Sequence, residues 1–425
     1  MNAQLRSDMP PSVLALPLAH ADYYGLRAGT PAIVAVSGRL RTGPASQPGE
    51  VMLQRLVAAL VGCASARHDG CEIAELLEGR GASYAVEADA DGLRFSARAC
   101  ASDLEPVLAW TLACLREPEF DQALLDAERA RMIAELQYRA IDPGHAAASA
   151  LTRSLYPPAH PAYEPGTDEQ IAQLERYGIA DVRRCHRERY GANELRIAVV
   201  GDVDPHEAAR LVERELAPWT PCALPAEEDR VTPDATAQRV RMRLPEQESY
   251  GVAMGQRLAV GRAHPDHTAL QLANRILGGA YASRLVARVR EQRGLSYAIR
   301  STLVDAPRGS GHWQVALSAS PDKLDDAVAV TRETIAELAA SGVQAPEFES
   351  ARRAAIGAYQ IGLATLDGLS AAILAEAERG ESPGDLRGYE RRMAALTLEQ
   401  LNRAIGEGLQ PQRWSTCIAG PYEDG

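Results

Sequence analysis

The feature that most constrains this chain is an internal repeat. Residues 80–86 (Arg-Gly-Ala-Ser-Tyr-Ala-Val) return at 293–299 as Arg-Gly-Leu-Ser-Tyr-Ala-Ile, with five identities in seven positions. The tripeptide Pro-Glu-Phe at 118–120 returns at 346–348, and these two copies hold two of the three phenylalanines of the chain. Matching segments in the same order indicate a duplication, so we predict two homologous domains that share one order of helices and strands.

The length of the chain and its proline distribution agree with this division. A chain of 425 residues exceeds what one core usually holds and suits two domains of about 200 residues each. An acidic, proline-rich stretch from Pro218 to Pro233 predicts a linker between them. We therefore predict an N-terminal half at 1–220 and a C-terminal half at 235–425.

Each half shows the same succession of local signals. Apolar residues at helical spacing predict a helix at about 50–63 and another at 264–277, each followed by a hairpin. In the first hairpin, Asp91-Gly92 is a strong turn signal. In the first half we predict a hairpin of 82–88 with 93–99, a long helix at 119–139 and a closing strand at 195–201. In the second half we predict a hairpin of 295–303 with 311–318, a long helix at 345–364 and a closing strand at 413–419. Hairpins joined by helices predict an α+β fold of two homologous domains, each an antiparallel-rich sheet covered by helices.

Composition excludes several classes of function. A net charge of -12 argues against nucleic-acid binding, which needs clustered positive charge. No apolar run reaches the roughly 18 residues of a membrane span. The seven cysteines form no Cys-x-x-Cys pair, as expected for reduced thiols. Together with a polar N-terminus, these features favour a cytoplasmic protein, unless a leader was removed before this sequence begins.

Several segments resemble one known family of peptidases. Those of the C-terminal half are His264–Asn274, Gly278–Gly279, Ser283–Leu285 and Arg290–Tyr297. In the N-terminal half, Ala198–Pro205 followed by a predicted helix at 206–216 carries the likeness. In order and spacing, these segments resemble bacterial peptidases of the pitrilysin/insulinase type, which use an inverted zinc motif. The resemblance covers about residues 45–415.

This resemblance implies where a zinc site should lie. In an active chain of that family, a helix carries His-x-x-Glu-His, whose histidines bind zinc and whose glutamate acts as general base. Here the motif falls on Arg55, Ala58 and Ala59, so both histidines and the base are absent. The family's remaining ligand belongs to a pair of acids matched by Glu128 and Glu135. These five positions are therefore predicted vestiges of a zinc site, and this chain is expected to hold no metal or other cofactor.

The resemblance also implies a pair that holds substrate. The family places an arginine, and seven residues later a tyrosine, where they bind a backbone carbonyl of the substrate, and Arg290 and Tyr297 match that spacing. Guanidinium N–H groups and a phenolic O–H are suited to donate to one oxygen. We predict that Arg290 and Tyr297 bind substrate and that the chain contributes no catalytic residue.

The repeat separates features of the shared fold from features of one half. Tyr297 aligns with Tyr84, so a packed strand tyrosine is the alternative interpretation of Tyr297. Arg290 aligns with Leu77, so an arginine at this position is not a requirement of the fold of both halves.

Other candidate residues also have simple structural interpretations. Glu128 and Glu135 align with apolar residues of the second half and suit surface ion pairs with neighbouring arginines. His264 and His267 have the spacing of metal ligands, but at the start of a helix such residues often cap it.

These inferences predict a non-catalytic, substrate-binding subunit of a heterodimeric bacterial zinc peptidase. Its partner would be a homologous chain that keeps His-x-x-Glu-His and supplies the zinc, and its substrate would be a short or unfolded peptide. The peptide precursor of pyrroloquinoline quinone is one such substrate, because a peptidase pair of this kind trims it. Two alternatives stay open: a purely structural subunit derived from a peptidase, and a stand-alone peptidase with a relocated metal site.

Overall fold

A computed structural model gives the fold of most of the chain. The described residues are 12–44, 50–63, 65, 72, 75, 77–88, 92–158, 160, 162–225, 236–262, 264–304, 311–381, 383–384 and 386–422. The predicted turn residue Asp91 and the second part of the predicted linker, 226–233, lie outside these ranges.

The strands form two sheets with the same internal order. The first sheet contains β1 (Leu14–Pro17), β2 (Ala21–Arg27), β3 (Ile33–Arg41), β4 (Ser83–Ala88), β5 (Gly92–Cys100) and β6 (Leu195–Gly201) in the order β1-β2-β6-β3-β5-β4. The second contains β7 (Arg239–Arg243), β8 (Tyr250–Arg257), β9 (Ile299–Val304), β10 (His312–Ala319) and β11 (Ser415–Gly420) in the order β7-β11-β8-β10-β9.

Strand pairing confirms the predicted fold class. In each sheet one pair is parallel, β2 with β6 and β7 with β11, and the other neighbours are antiparallel. The two predicted hairpins exist as β4–β5 and β9–β10. The second sheet repeats the first strand for strand, except that the first sheet has the additional strand β1. This repetition is expected from a duplicated sequence.

Helices follow the strands in the same repeated order. They are α1 (Glu50–Val61), α2 (Leu104–Arg116), α3 (Gln122–Ile141), α4 (Pro143–Leu155), α5 (Thr167–Arg176), α6 (Ile179–Arg189), α7 (Pro205–Leu216), α8 (His267–Asn274), α9 (Leu324–Ser341), α10 (Ala345–Gly362), α11 (Leu366–Glu378), α12 (Gly388–Ala395) and α13 (Leu398–Gly408). The predicted long helices at 119–139 and 345–364 correspond to α3 and α10. Among the described helices, none is by itself long and apolar enough to cross a membrane, and only α10 with α11, bent by 117°, meets that criterion as a pair.

Two compact units divide the chain, and they do not follow the boundary between the halves. One comprises Met1–Ala130, Gln173–Glu227 and Tyr359–Tyr389, and the other comprises Arg131–Ala172, Glu228–Ala358 and Glu390–Gly425. Each half thus supplies the sheet of one unit and a helical segment of the other. The predicted halves, 1–220 and 235–425, describe the repeat in the sequence. In the structure, the segment of the first half that begins at Arg131 belongs to the second unit, and the equivalent segment of the second half, which begins at Tyr359, belongs to the first unit.

In the second unit, the exchanged helix α4 packs on the sheet. Its Ala147 and Leu151 share a buried cluster with Ala253 of β8 and Cys417 of β11. A Cβ atom at Gly251 would lie 2.2 Å from the backbone carbonyl carbon of Pro143, the first residue of α4. This strand position therefore needs glycine, because the helix backbone approaches it directly.

In the first unit, the exchanged helix α11 is held by apolar and ionic contacts. Ile373 and Ala377 pack in a buried cluster with Leu26 of β2 and Val200 of β6. Near the helix end, a Glu378 oxygen lies 3.2 Å from Nη1 of Arg39. The ion pair thus links the end of α11 to β3 of the sheet.

Candidate functional site

Arg290 and Tyr297 are neighbours in the second unit. The Cζ atom of Arg290 lies 4.6 Å from the centroid of the Tyr297 ring. Tyr297 is 82% exposed, and its hydroxyl has no hydrogen-bond partner among the described residues. A guanidinium this close to an aromatic face gains a cation–π contact, while the phenolic O–H stays available to a ligand.

A wide helical turn and a glycine bring these two residues together. Residues Val286–Gln292 form a π-helix, a rare conformation that often occurs at functional sites. Gly294 follows its C-terminal cap with a φ of 57°, which lies in the left-handed region, and the Gly294 N–H donates to the Arg290 carbonyl at 3.0 Å. The chain then turns back, so Tyr297 returns to the side chain of Arg290. Strand β9 begins only at Ile299, so the predicted strand at 295–303 starts too early, because this turn occupies its first residues.

The guanidinium of Arg290 is only partly engaged by the protein. Its Nε lies 3.2 Å from a Glu291 oxygen, and no acceptor among the described residues binds its Nη1 or Nη2. By contrast, Arg284 donates to both oxygens of Glu347, at 2.9 and 2.6 Å. The terminal nitrogens of Arg290 therefore remain open to an acceptor from outside, which an arginine with a purely structural role does not require.

Two further residues complete this cluster, and sequence reasoning missed both. Arg290 Cζ lies 5.5 Å from the centroid of the Tyr281 ring, and the Tyr281 hydroxyl donates to Glu291 at 3.4 Å. Tyr281 is 72% exposed. Tyr281 lies between Gly278–Gly279 and Ser283–Leu285, two of the segments that carry the resemblance, but its spacing from Arg290 follows no helical or strand period.

The three positions of α1 on which the zinc motif falls carry no group that binds zinc. Arg55 is exposed, and its Nη1 lies 3.9 Å from the sulfur of Met52. Ala58 is buried and Ala59 partly buried, so each offers only a methyl group to its surroundings. Zinc in proteins is held by imidazole, thiolate and carboxylate groups, so these side chains do not fit it. Among the described residues, no group of three His, Cys, Asp or Glu residues is placed to hold a metal ion.

The predicted vestigial acids lie on α3 and have other contacts. Glu135 pairs with Arg131 at 3.2 Å and also with Arg139, one turn away in each direction. Glu128 is partly buried. The contacts of Glu135 match the surface ion pairs that its sequence neighbours favour.

The two histidines near α8 also have local partners. The Nδ1 atom of His264 accepts from the backbone N–H of Asp266 at 3.1 Å. His267 is the first residue of α8 and is 2% exposed. His264 thus stabilises the turn before α8, but the N-cap residue Asp266 makes no side-chain capping hydrogen bond.

The model of one protein family matches part of the chain. A family model described as the peptidase M16 inactive domain matches residues 178–355. An uncharacterized zinc protease of Mycobacterium leprae is 28% identical over 308 residues, which is 70% of this chain and 66% of that protein. A non-peptidase homolog of Helicobacter pylori is 23% identical over 322 residues, covering 74% of this chain and 72% of that protein. The sequence relatives thus include a protein named as a protease and one named as a non-peptidase.

Comparison with solved structures supports the same fold. The peptidase M16 inactive domain from Pseudomonas fluorescens superposes with a TM-score of 0.87 and 23% identity, and the match covers 97% of this chain and 98% of that one. At this identity the likeness establishes the fold alone. The resemblance to peptidases drawn from the sequence is confirmed at this coarser level: residues 178–355 match the model of the peptidase M16 inactive domain family, and the chain shares its fold with a solved structure of that description.

Proposed function

We propose that this chain is the substrate-binding, non-catalytic subunit of a heterodimeric zinc peptidase. A homologous partner with an intact His-x-x-Glu-His motif supplies the zinc and the general base. This chain supplies Arg290 and Tyr297, which hold a backbone carbonyl of a short or unfolded peptide. The two chains together form a cytoplasmic enzyme that neither forms alone.

The observation that carries this proposal is the open donor set at Arg290 and Tyr297. Both terminal nitrogens of Arg290 and the hydroxyl of Tyr297 lack protein acceptors among the described residues. Donors that converge on one oxygen stabilise the negative charge that develops there during peptide hydrolysis. The methyl groups at Ala58 and Ala59, where the zinc motif falls, support the assignment of the metal to another chain.

The experiment is co-expression of this chain with a homologue from the same genome that keeps the zinc motif. Complex formation is measured by gel filtration, and cleavage is measured with a library of unstructured peptides that includes the precursor of pyrroloquinoline quinone. We expect Arg290→Ala and Tyr297→Phe each to lower kcat/KM of the complex by about 100-fold, the effect of losing one oxyanion donor. Both variants should still assemble with the partner.

Matched controls come from the same unit. Arg293 is an exposed arginine three residues after Arg290, and its side chain has no hydrogen bond or ion pair among the described residues. Tyr138 is 74% exposed on α3. We expect Arg293→Ala and Tyr138→Phe to keep full activity. If Arg290→Ala and Tyr297→Phe also kept full activity in an assembled complex, the chain would be a purely structural subunit and the substrate-holding role would be refuted.

A further inference from the structure

The exposed ring of Tyr281 projects from a segment that is fixed to the sheet. This segment follows a second π-helical turn, Arg275–Gly279. Ser301 of β9 donates to the Asn274 side chain at 2.7 Å and accepts from Trp313 Nε1 at 2.7 Å. A Cβ atom at Gly278 would lie 2.7 Å from the Cβ of Ser301. The backbone before Tyr281 is therefore packed directly against β9, with no room for a larger residue at Gly278.

The segment is fixed on its other side as well. Ser283 is 2% exposed and Leu285 is fully buried. The guanidinium of Arg284 is held by Glu347 and also donates to the Gly342 carbonyl at 2.9 Å. Tyr281 is thus an exposed aromatic residue on a rigid support, an arrangement that suits a preorganised site.

Tyr281 and Glu291 contact the Arg290 side chain together with Tyr297. Arg290 lies over both tyrosine rings, at 5.5 Å from Tyr281 and 4.6 Å from Tyr297. The Glu291 carboxylate contacts the Arg290 Nε at 3.2 Å and accepts from the Tyr281 hydroxyl at 3.4 Å. Only Nε of the guanidinium has an ionic partner among the described residues, which leaves Nη1 and Nη2 available.

We propose that Tyr281 is a positioning residue of the substrate site, which orients the Arg290 guanidinium so that its terminal nitrogens meet a peptide carbonyl. This inference rests on the proposed function for its consequence in catalysis, but the positioning itself is a property of the lone chain. Holding a flexible arginine in place before substrate binds reduces the entropy lost on binding.

The first test measures positioning without any partner. In the chain labelled with ¹⁵N-arginine, the Arg290 Nε–H signal is identified by its loss in Arg290→Lys. We expect the ring currents of the tyrosines to displace the chemical shift of this signal from that of a solvated arginine. Tyr281→Leu should move the chemical shift toward the solvated value, whereas Tyr281→Phe should keep most of the displacement. The control Tyr138→Leu removes an equally exposed tyrosine and should leave the signal in place. An unchanged Arg290 signal in Tyr281→Leu would overturn the proposal.

The second test uses the assembled complex. We expect Tyr281→Leu to lower kcat/KM threefold to tenfold, about the effect of one cation–π contact, with Tyr281→Phe closer to wild type and Tyr138→Leu unchanged. If Arg290→Lys lowers activity and Tyr281→Leu does not, Tyr281 has no positioning role in catalysis. If neither variant changes activity, the proposed function fails, whereas a displaced Arg290 signal would still establish that Tyr281 holds the guanidinium.

Discussion

Tyr84 and Tyr297 occupy equivalent positions of the repeat but have opposite surroundings. Tyr84 packs edge-to-face on Trp110, with ring centroids 4.6 Å apart, and its hydroxyl is buried. Tyr297 is 82% exposed beside Arg290. The same residue type in the same place of a duplicated fold thus fills a core in one half and faces solvent in the other.

The neighbours of the two tyrosines explain this difference. A Cβ atom at Gly62 would lie 2.9 Å from the Tyr84 ring, so the absence of a side chain at Gly62 makes space for that ring. Leu77, which is equivalent to Arg290, packs in the same small cluster as Tyr84. An arginine there would bury a charge without a partner, at a cost of several kcal/mol. Duplication supplied two tyrosines, and only the exposed one has a cation beside it.

The largest expected difference between the two sites is in stability. Tyr84→Ala removes a packed ring and should lower the free energy of unfolding by about 3 kcal/mol, as large-to-small changes in a core do. Tyr297→Ala removes an exposed ring and should cost less than about 1 kcal/mol. Urea unfolding of the two variants measures both values. Equal losses would show that Tyr297 is a packing residue, and the comparison would fail.

The burial of Tyr84 should also make the free energy of unfolding depend on pH in the alkaline range. Burial raises the pKa of Tyr84 well above its usual value. The unfolded chain therefore loses this proton near pH 10 while the folded chain keeps it, so folded stability falls as pH rises above 10, by about 1.4 kcal/mol per pH unit. Tyr84→Phe cannot ionise and should lack this contribution. The measurement is the difference in unfolding free energy between Tyr84→Phe and wild type from pH 8 to pH 11, and a constant difference would contradict a buried Tyr84 hydroxyl.

The smallest effect is expected at neutral pH. The Tyr84 hydroxyl has no hydrogen-bond partner among the described residues. A buried polar group without a partner is destabilising, so Tyr84→Phe should raise the free energy of unfolding by about 1 kcal/mol. Tyr297→Phe should leave stability unchanged and reduce only the activity of the complex. A destabilised Tyr84→Phe would mean that this hydroxyl has a partner after all.

Sequence patterns predicted the repeated parts of the fold well. The closing strand β6 matches its predicted bounds at 195–201, and both hairpins pair as expected. The patterns did not reveal the exchange of helical segments between the compact units. That exchange depends on contacts between residues far apart in sequence, such as Gly251 with Pro143, and no local period encodes such a contact.

The candidate site was predicted in part. The resemblance to a peptidase family implied that Arg290 and Tyr297 act together, and the structure places them in contact. Tyr281 was missed because a π-helical turn and a reversal of the chain, which have no sequence signature of their own, bring it to Arg290. Glu291 directly follows Arg290, and adjacent residues of a regular helix do not face each other, so the contact between them was not expected. The exposure of Tyr297 could not be predicted from the sequence either, since the repeat suggested that Tyr297 packs as Tyr84 does.

The most direct test of the central claim is peptide cleavage by the purified chain alone and with its zinc-bearing homologue. We predict that the lone chain cleaves nothing in a chelator-sensitive way and that the pair cleaves unstructured peptides. The reason is that the helix position that should supply metal ligands carries Arg55, Ala58 and Ala59. Chelator-sensitive cleavage by the lone chain, with activity independent of Arg290, would contradict the account.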